Sequence, residues 1–429
     1  MSKTVKIGLL GCGIVGGALV ELLNERREAI TSATGLDLVV TAVTVRSTSK
    51  ERPGVSSDLL TTDSKAVVSS DDVDVIVEVI GGLEPARTLI LEALKSGKPV
   101  VTANKELLAN FGTELYAAAD DAGVDLLFEA AAAGAIPIVR PLRESLLGED
   151  ITRIMGIVNG TTNYILTQMS EAGASYADAL AEAQELGYAE RDPTADVEGY
   201  DAGAKAAIMA TLAFGASVVA GDVYHEGISA ISKADIAYAQ RLGYEIKLLA
   251  IAEVFDETGR EVGVRVHPAM IPKDHPLASV RGSFNAVFVE GRAAGELMFY
   301  GRGAGGRPTA SAVLGDLIDA AVNLHRETHR SVPRGGATKI RPIDELESAY
   351  YVNLEVTDSP GVLAQVAGVF ATHGLSIMSM EQEGLGAEAR IAIITHTAKE
   401  RGFQAALHDL RELDVVAGVR SVLRVIGAG

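Results

Sequence analysis

The sequence predicts an α/β protein in three parts: an open parallel sheet, an α+β region inserted into it, and a small C-terminal unit of ferredoxin-like pattern. Short apolar strands alternate with helices over residues 1–135, which is typical of a parallel sheet. The alternation stops near Pro137, and the α+β region covers residues 136–304. Residues from about 305 to 330 are expected to complete the first part, and residues 331–349 have the composition of a linker. The last part, residues 350–429, follows the order strand, helix, strand, strand, helix, strand.

The first strand and helix enclose a pattern of glycines. Residues 5–10 form a short apolar strand, and a helix follows at once. Gly11, Gly13 and Gly16 lie between them, spaced for a tight turn, close approach to a pyrophosphate and close helix–strand packing. The N–H groups at the start of the helix would face the phosphates. This context favours a dinucleotide-binding domain of Rossmann type over a glycine-rich turn that serves packing alone.

The end of the second strand, residues 38–45, indicates which dinucleotide is preferred. An acidic residue at this place would favour NAD. The strand ends instead in Arg46, followed by hydroxyl side chains, Lys50 and Arg52. Cations and hydroxyls suit a 2′-phosphate, so NADP is favoured and NAD stays open. A solvated basic loop is the alternative interpretation.

Further polar residues follow the strands of the first part. Gly81 ends the strand within residues 72–80, Asn104 and Lys105 end the next, and Glu129 ends a strand predicted within residues 124–139. Ligands of open α/β sheets bind beyond the carboxyl ends of strands. Lys105 opens a helix, where a cation is unfavourable for the helix dipole, so its place indicates function rather than stability.

The inserted region is predicted to begin with a strand, a turn and a helix capped near Thr161 or Thr162. A helix at 175–186 and strands at 261–267, 285–291 and 296–300 follow. Beyond them, the glycine-rich loop around Gly303 leads into an apolar helix. This loop would meet the cofactor through its backbone N–H groups, or it is a plain turn between domains.

The acidic stretch from Gly187 to Lys205 carries the chemistry. Asp201 and Lys205 are four residues apart, so they share one face of a helix. That helix carries the lysine into a run without charge, residues 206–221, where an ammonium group survives only beside a carboxylate. A lysine held in this way is able to exchange a proton near neutral pH. The alternative is an acidic loop followed by a surface helix with one ion pair.

Composition limits the compartment and the partners. The 429 residues carry a net charge of −19, which argues against nucleic acid or an anionic membrane as the main partner. The single cysteine, Cys12, excludes an intramolecular disulfide. The chain start lacks the layout of a secretory signal, and the longest uncharged apolar run is shorter than the ~20 residues that span a bilayer. We therefore expect a soluble cytoplasmic protein.

Five segments together resemble homoserine dehydrogenase of the monofunctional kind with a C-terminal ACT domain. They are GLLGCGIVGGALV, TANKELLA, NGTTNYIL, GYAERDPTADVEGYDAGAK and GRGAGGRPTASAV. The start of the C-terminal unit, YVNLEVTDSPGVLAQVAGVF, is similar to an ACT domain. The form fused to aspartate kinase is not expected, because no kinase-like extension precedes the first strand.

The resemblance implies NAD(P)-dependent interconversion of L-homoserine and L-aspartate 4-semialdehyde in threonine, methionine and isoleucine biosynthesis. It implies that Lys205 is the acid/base, with Lys105 and Asp201 beside it. Substrate binding would fall to Gly187, Glu190 and Asp201. The cofactor-binding residues would be Gly11, Gly13, Ile14, Val15, Gly16, Arg46, Gly81, Lys105 and Gly303. An alkali metal ion such as sodium would bind at Glu129, Ala132, Gly134 and Ile136.

The resemblance also implies regulation and assembly. The C-terminal unit would bind threonine at the turn that begins at Asp358, and the α+β region would form a homodimer or homotetramer. We expect a chain ending near Ser348 to keep the reaction but lose any response to threonine; a unit that only joins subunits is the alternative. Two other functions stay open: another NADP-dependent amino-acid dehydrogenase, and a nucleotide-sensing regulator without turnover.

Overall fold

A computed structural model describes residues 2–256, 261–332, 338–384 and 388–427. These residues form an α/β fold with a six-stranded sheet and a twelve-stranded sheet, which confirms the predicted class. The predicted linker and C-terminal unit include residues outside the described ranges, at 333–337, 385–387 and 428–429. Within those ranges, no helix is long and apolar enough to cross a membrane.

The six-stranded sheet is parallel throughout and has the order β3-β2-β1-β4-β5-β6. Its elements are β1 Lys3–Leu10, α1 Ile14–Thr34, β2 Leu36–Thr44, β3 Leu60–Thr61, α2 Ser64–Ser69, β4 Val75–Glu78, α3 Ala86–Lys95, β5 Val100–Thr102, α4 Lys105–Ala122 and β6 Leu126–Leu127. The central strands are buried on both faces over residues 7–10 of β1 and throughout β4 and β5, as parallel strands covered by helices must be. We call this part the nucleotide unit.

One predicted strand of this part is wrong over most of its length. Within residues 124–139 only Leu126–Leu127 pairs as a strand, and α5 Ala130–Ala133 follows. Four consecutive alanines favour helix over strand. Glu129 still lies just past the carboxyl end of β6.

The middle part contains β7 Ile151–Ile157, α6 Gly160–Glu171, α7 Tyr176–Glu185, α8 Thr194–Val197, α9 Tyr200–Phe214, β8 Tyr224–His225, α10 Lys233–Arg241, β9 Tyr244–Val254, β10 Glu261–Pro272, β11 Phe284–Gly291 and β12 Gly295–Arg302. The cap of α6 is Asn159, whose side chain accepts from the Thr162 N–H, so the cap lies two residues before the predicted position near Thr161 or Thr162. Asn is among the strongest N-cap residues.

Helix α11, Gly306–His325, returns to the nucleotide unit. It packs along α1, and Val313, Leu317 and Ala320 are buried with Ile7 and Leu19 in one core cluster. The middle part is therefore an insertion into the nucleotide unit. The exact domain boundaries stay predictions.

The C-terminal unit contains β14 Glu347–Thr357, α12 Val362–Thr372, β15 Ile377–Gly384, β16 Glu388–Thr395, β17 Ala398–Lys399, α13 Glu400–Arg411 and β18 Val416–Val425, after a short strand β13 Lys339–Ile340. Its sheet is continuous with that of the middle part, in the order β12-β11-β7-β9-β10-β18-β14-β16-β15. The junction is parallel pairing of Ala269 with Arg424 and of Met270 with Val425.

Buried polar groups fix the C-terminal unit on the middle part. Arg424 is buried and bonds to Glu226 at 2.8 Å and to Glu400 at 3.0 Å. Asp235, buried at the start of α10, accepts from Tyr351 at 3.2 Å and from Ser421. The C-terminal unit is thus less separate than its sequence suggests.

Candidate active site

A cavity of about 920 Å³ lies between the carboxyl edge of the parallel sheet and the middle part. Nine of the predicted site residues line it: Val15, Gly81, Lys105, Gly134, Gly187, Glu190, Asp201, Lys205 and Gly303. The other eight lie outside its walls: Gly11, Gly13, Ile14, Gly16, Arg46, Glu129, Ala132 and Ile136. The nucleotide unit and the middle part therefore both contribute predicted site residues to this cavity.

Two lysines share one carboxylate in this cavity. Lys205 Nζ lies 2.7 Å from Asp201 Oδ2, and Lys105 Nζ lies 2.6 Å from Asp201 Oδ1. Lys205 also donates to the carbonyl of Val158 at 2.6 Å. An ammonium group has three donors, so one N–H of Lys205 is left for a ligand.

The local sequence explains this arrangement. Asp201 and Lys205 lie on the first two turns of α9, which begins after Gly199 in a left-handed conformation with φ +86°. Lys105 is the first residue of α4, whose N-cap is the side chain of Asn104. The pairing with Asp201 offsets the unfavourable placement of Lys105 at a helix start.

The two lysines differ in exposure and in acidity. Lys205 is 7% exposed; burial lowers its pKa, and the charge of Lys105 adds to this effect against the opposing pull of Asp201. Burial acts on Lys105 in the same direction, but Asp201 outweighs it and raises the pKa above the ordinary value. Burial disfavours the Asp201 carboxylate, yet the two ammonium groups hold its pKa well below the usual range. Lys205 is therefore the better proton donor and Lys105 the more permanent charge.

Asn159 and Asp196 belong to the same cluster and were not predicted as site residues. Asn159 Nδ2 donates to Asp196 Oδ1 at 2.7 Å and to Asp201 Oδ2 at 3.0 Å. Burial raises the pKa of Asp196, and the residue lines the cavity. An N-cap asparagine before Gly-Thr-Thr is the signal in the sequence, but the pattern does not reveal that its amide turns toward α9.

Glu78 is a third residue of the cavity that the sequence did not reveal. It is fully buried at the end of β4 and accepts from the N–H groups of Ile80 at 2.9 Å and Gly81 at 3.0 Å. Its other oxygen accepts from Thr102 at 2.5 Å. These bonds tie together the ends of β4 and β5, where Gly81 and Lys105 enter the cavity.

The glycine pattern forms a turn against the start of α1. A Cβ on Gly16 would overlap the carbonyl oxygen of Gly11, and Gly11 itself has φ +100°. Within the described ranges, no heavy atom outside Gly13 and its two chain neighbours lies within 4 Å of a Cβ built on Gly13, so this side of the turn is open. The first turn of α1 has no acidic residue and no side-chain cap, and Ile14 is 82% exposed. Unpaired N–H groups and open space fit a pyrophosphate.

Arg46 is exposed two residues beyond the end of β2, at the place that reads the adenosine ribose in this class of sheet. Nearby, Arg52 has a buried Nε without a partner among the described residues. The positive charge of Arg52 also acts on the thiol of Cys12 in the glycine turn, although burial dominates and raises the pKa of that thiol. Arg52 therefore lies near the glycine turn, and Arg46 follows the strand whose end borders that turn through the Gly11 N–H bond to the Thr44 carbonyl.

The predicted metal ligands lie within residues 129–136, but the Glu129 carboxylate already accepts hydrogen bonds from the main chain. It accepts from the N–H groups of Ile138 at 2.6 Å, Val139 at 2.7 Å and Arg140 at 2.9 Å. Burial nevertheless raises its pKa. Within the described ranges, no three His, Cys, Asp or Glu side chains cluster as metal ligands do. Oε1 of Glu129 accepts two of these bonds and Oε2 accepts one, so an ion at this turn would rely mainly on backbone carbonyl oxygens.

Comparison with known proteins gives three matching family models. They are the homoserine dehydrogenase NAD-binding domain over residues 11–129, homoserine dehydrogenase over residues 137–318 and the ACT domain over residues 350–415. A homoserine dehydrogenase of Mycobacterium tuberculosis is 50% identical over 100% of this chain and 99% of its own length. That of Corynebacterium glutamicum is 50% identical over 99% of this chain and 96% of its own.

Solved structures agree. The crystal structure of a homoserine dehydrogenase from Thiobacillus denitrificans has a TM-score of 0.94 and 41% identity, covering 100% of this chain and 99% of that one. A hyperthermophilic archaeal homoserine dehydrogenase in complex with NADPH has a TM-score of 0.64 and 30% identity, covering 75% of this chain and 98% of that one. The chain belongs to the homoserine dehydrogenase family of oxidoreductases, in the form that joins an NAD-binding domain and a catalytic domain to a C-terminal ACT domain.

Proposed function

We propose that this chain interconverts L-homoserine and L-aspartate 4-semialdehyde with NADP(H) as the preferred cofactor. The observation that carries the proposal is the pair of lysines on Asp201, in a cavity that also touches the glycine turn through Val15. A nicotinamide cofactor held at the glycine turn would supply the hydride to the aldehyde carbon, or would accept it in the reverse direction. The chain itself must then manage one proton and the charge of the substrate.

Lys205 is proposed as the acid/base. As hydride reaches the aldehyde carbon, its oxygen gains negative charge and takes a proton from the Lys205 ammonium group; in the reverse direction neutral Lys205 removes the hydroxyl proton. A lowered pKa suits both directions of the reaction. It makes the Lys205 ammonium group a better proton donor in reduction, and it provides more of the neutral amine near neutral pH for oxidation. Lys105 stays protonated and stabilises the developing alkoxide by its charge.

Asp201 is proposed as a counterion and positioning group rather than as a ligand of the substrate ammonium. Both of its oxygens already bind Lys105, Lys205 or Asn159. The substrate ammonium is assigned instead to Glu190 and Asp196, which line the same cavity. The burial that disfavours the charge of Asp196 would be offset by an ammonium beside it.

The substrate carboxylate is assigned to the start of α6. Gly160 and Thr161 open this helix and line the cavity. N–H groups in the first turn of a helix favour an anion. Gly160 is required there because a Cβ would lie 2.7 Å from the carbonyl oxygen of Ser283.

NADP is proposed over NAD because Arg46 would pair with a 2′-phosphate. The relative solved with NADPH supports the proposal. An alkali ion such as sodium is proposed at the carbonyl oxygens of Ala132, Gly134 and Ile136, with Glu129 holding the neighbouring main chain rather than the ion. Oxygen donors suit such a hard cation.

Assembly, pathway and control complete the proposal. We assign the chain to cytoplasmic biosynthesis of threonine, methionine and isoleucine, as a homodimer or homotetramer, with an amino acid such as threonine acting on the C-terminal unit. The resemblance and the ACT match support these assignments.

One assay tests the central proposal. Oxidation of NADPH by the purified chain is followed with and without L-aspartate 4-semialdehyde, then with NADH. Substrate-dependent oxidation, faster with NADPH at low cofactor concentration, is expected. No turnover of the semialdehyde by a folded chain would refute the function, and equal efficiency with NADH would refute only the cofactor preference.

A further inference from the structure

A buried asparagine in the wall of the active-site cavity has both of its hydrogen-bonding groups unpaired. Asn285 follows Phe284, the first residue of β11; it is 0% exposed and lines the cavity. Within the described ranges, neither Nδ2 nor Oδ1 of its side chain has a hydrogen-bond partner. Buried polar groups are normally hydrogen-bonded, so two unpaired groups on one side chain indicate a function rather than a packing role.

The amide of Asn285 lies between two segments that carry glycine at the contact. A Cβ on Gly303 would overlap the amide itself, and a Cβ on Gly160 would lie 3.4 Å from its Oδ1 and 2.7 Å from the carbonyl oxygen of Ser283. Gly303 belongs to the loop that is expected to meet the cofactor. Gly160 opens α6, to which the substrate carboxylate is assigned. The amide therefore packs against both the cofactor side and the substrate side of the cavity.

A buried network holds the main chain that leads into Asn285. Asn163, in α6, donates through Nδ2 to the carbonyl oxygens of Gly282 at 2.9 Å and Phe284 at 3.1 Å. Lys247, in β9, donates to Asn163 Oδ1 at 3.0 Å. These bonds join β11 to α6 and β9, so the Asn285 side chain has a defined place in the cavity wall.

We propose that Asn285 is a positioning residue for hydride transfer, which holds the loop at Gly303 and the start of α6 at the separation that the nicotinamide and the substrate need. Reacting atoms have to approach to about 3–3.5 Å, and a misplacement of about 1 Å can cost about 100-fold in rate. A leucine has the same branched shape without unpaired groups, so packing alone does not favour the amide. Its donor and acceptor belong to the ligand-bound state, in which both sides of the cavity are filled. The inference rests on the proposed function.

The test measures hydride transfer itself in the full chain. NADPH bound to an excess of the chain is mixed with saturating L-aspartate 4-semialdehyde, and the loss of NADPH absorbance in a single turnover gives the rate constant. NADPH with deuterium at the transferred position establishes that hydride transfer is the step observed. In Asn285→Leu the rate constant is expected to fall roughly 100-fold. The melting temperature should stay unchanged or rise, because two unpaired buried groups are removed.

Two further variants complete the experiment. Asn285→Ala, which only removes atoms, takes the place of the leucine variant if the latter does not fold, with the same expected fall. Asn353→Leu is the matched control: Asn353 is 3% exposed on β14, its Oδ1 also lacks a partner within the described ranges, and it lies outside the cavity. It loses one bond to Asp235 and should keep the wild-type rate constant.

The amplitude and the rate constant separate misplaced reactants from a smaller folded fraction. A rate constant in folded Asn285→Leu within a few-fold of wild type would overturn this inference and leave the proposed function intact, because turnover by the wild type decides that function by itself. A lower amplitude at an unchanged rate constant would also overturn it, since only the amount of active chain would then depend on the amide.

Discussion

Replacing Lys205 by methionine separates its chemical role from its structural role. Methionine keeps most of the apolar length of the side chain but cannot hold a proton. Asp201 would keep Lys105 and Asn159 as partners, so the variant does not leave an unpaired buried carboxylate. The buried carbonyl of Val158 loses its donor, which costs about 1–3 kcal/mol of stability.

The expected loss of turnover is far larger than this loss of stability would cause. General acid catalysis contributes typically about 10²–10⁴-fold, equivalent to roughly 2.7–5.4 kcal/mol in the barrier. In the wild type, aldehyde reduction needs protonated Lys205, so its rate falls as pH rises through the pKa of that residue. Homoserine oxidation needs the neutral form, so its rate rises over the same range. Because burial lowers this pKa, the fall in the reduction rate and the rise in the oxidation rate both occur below the pH at which an ordinary lysine titrates. Both pH dependences are lost in the variant.

The assay compares kcat for semialdehyde reduction, its pH profile and the Kd for NADPH measured by cofactor fluorescence. Lys98→Met is the matched control: Lys98 donates to the carbonyl oxygens of Val68 and Ser70, as Lys205 donates to that of Val158, and burial also lowers its pKa, but it lies outside the cavity. It should lose stability and keep turnover. A folded Lys205→Met variant with turnover within a few-fold of wild type, or with an unchanged pH profile, would refute the role assigned to Lys205.

Three further predictions concern cofactor, pH and backbone. Arg46→Ala should weaken NADPH binding roughly 10- to 100-fold by loss of a charged hydrogen bond and leave NADH binding unchanged; equal effects on both Kd values would place Arg46 elsewhere. Burial lowers the pKa of Lys247 to about 8, against 10.5 for an ordinary lysine, so the unfolded state binds more protons between these values. The free energy of unfolding should therefore rise by about 3 kcal/mol over that range, and urea melts of Lys247→Met should lack the rise; parallel pH curves would contradict this. Gly134→Ala should weaken cofactor binding, because Gly134 has φ +63° and its Cβ would overlap the carbonyl of Gly303. The control Gly123→Ala has φ +68° with open space around the Cβ, so equal cofactor Kd values in the two variants would count against the contact.

The sequence predicts those features of the molecule that are set by neighbours along the chain. The glycine turn is predicted from the strand–turn–helix alternation with Gly11 and Gly16, because both the periodicity and the need for glycine can be recognised in neighbouring residues. Asp201 and Lys205 share a helix face because they are four residues apart. The position of Lys105 near them can be predicted only from the rule that ligands bind beyond the carboxyl ends of parallel strands.

Features that depend on distant segments could not be predicted in this way. Asn159 bonds to Asp201 across 42 residues, and Glu78 bonds to Thr102 across two strands; no local pattern marks either pair. Strand β9, Tyr244–Val254, was missed because a continuous buried run does not alternate, and such runs resemble buried helix. Its pairing with β7 and β10 makes it a strand.

The continuity of the large sheet changes what removal of the C-terminal unit would mean. A chain ending near Ser348 would expose the edge of β10 that pairs with β18, and unpaired strand edges promote aggregation. It would also take Arg424 from Glu226 and three donors from the buried Asp235, and a buried acceptor left without its donors costs about 1–3 kcal/mol. Loss of activity after such a truncation would therefore report loss of folding as readily as loss of control. Point substitutions that fill a cavity while keeping the sheet intact separate the two, because they leave the β10–β18 pairing and the Arg424 ion pairs in place.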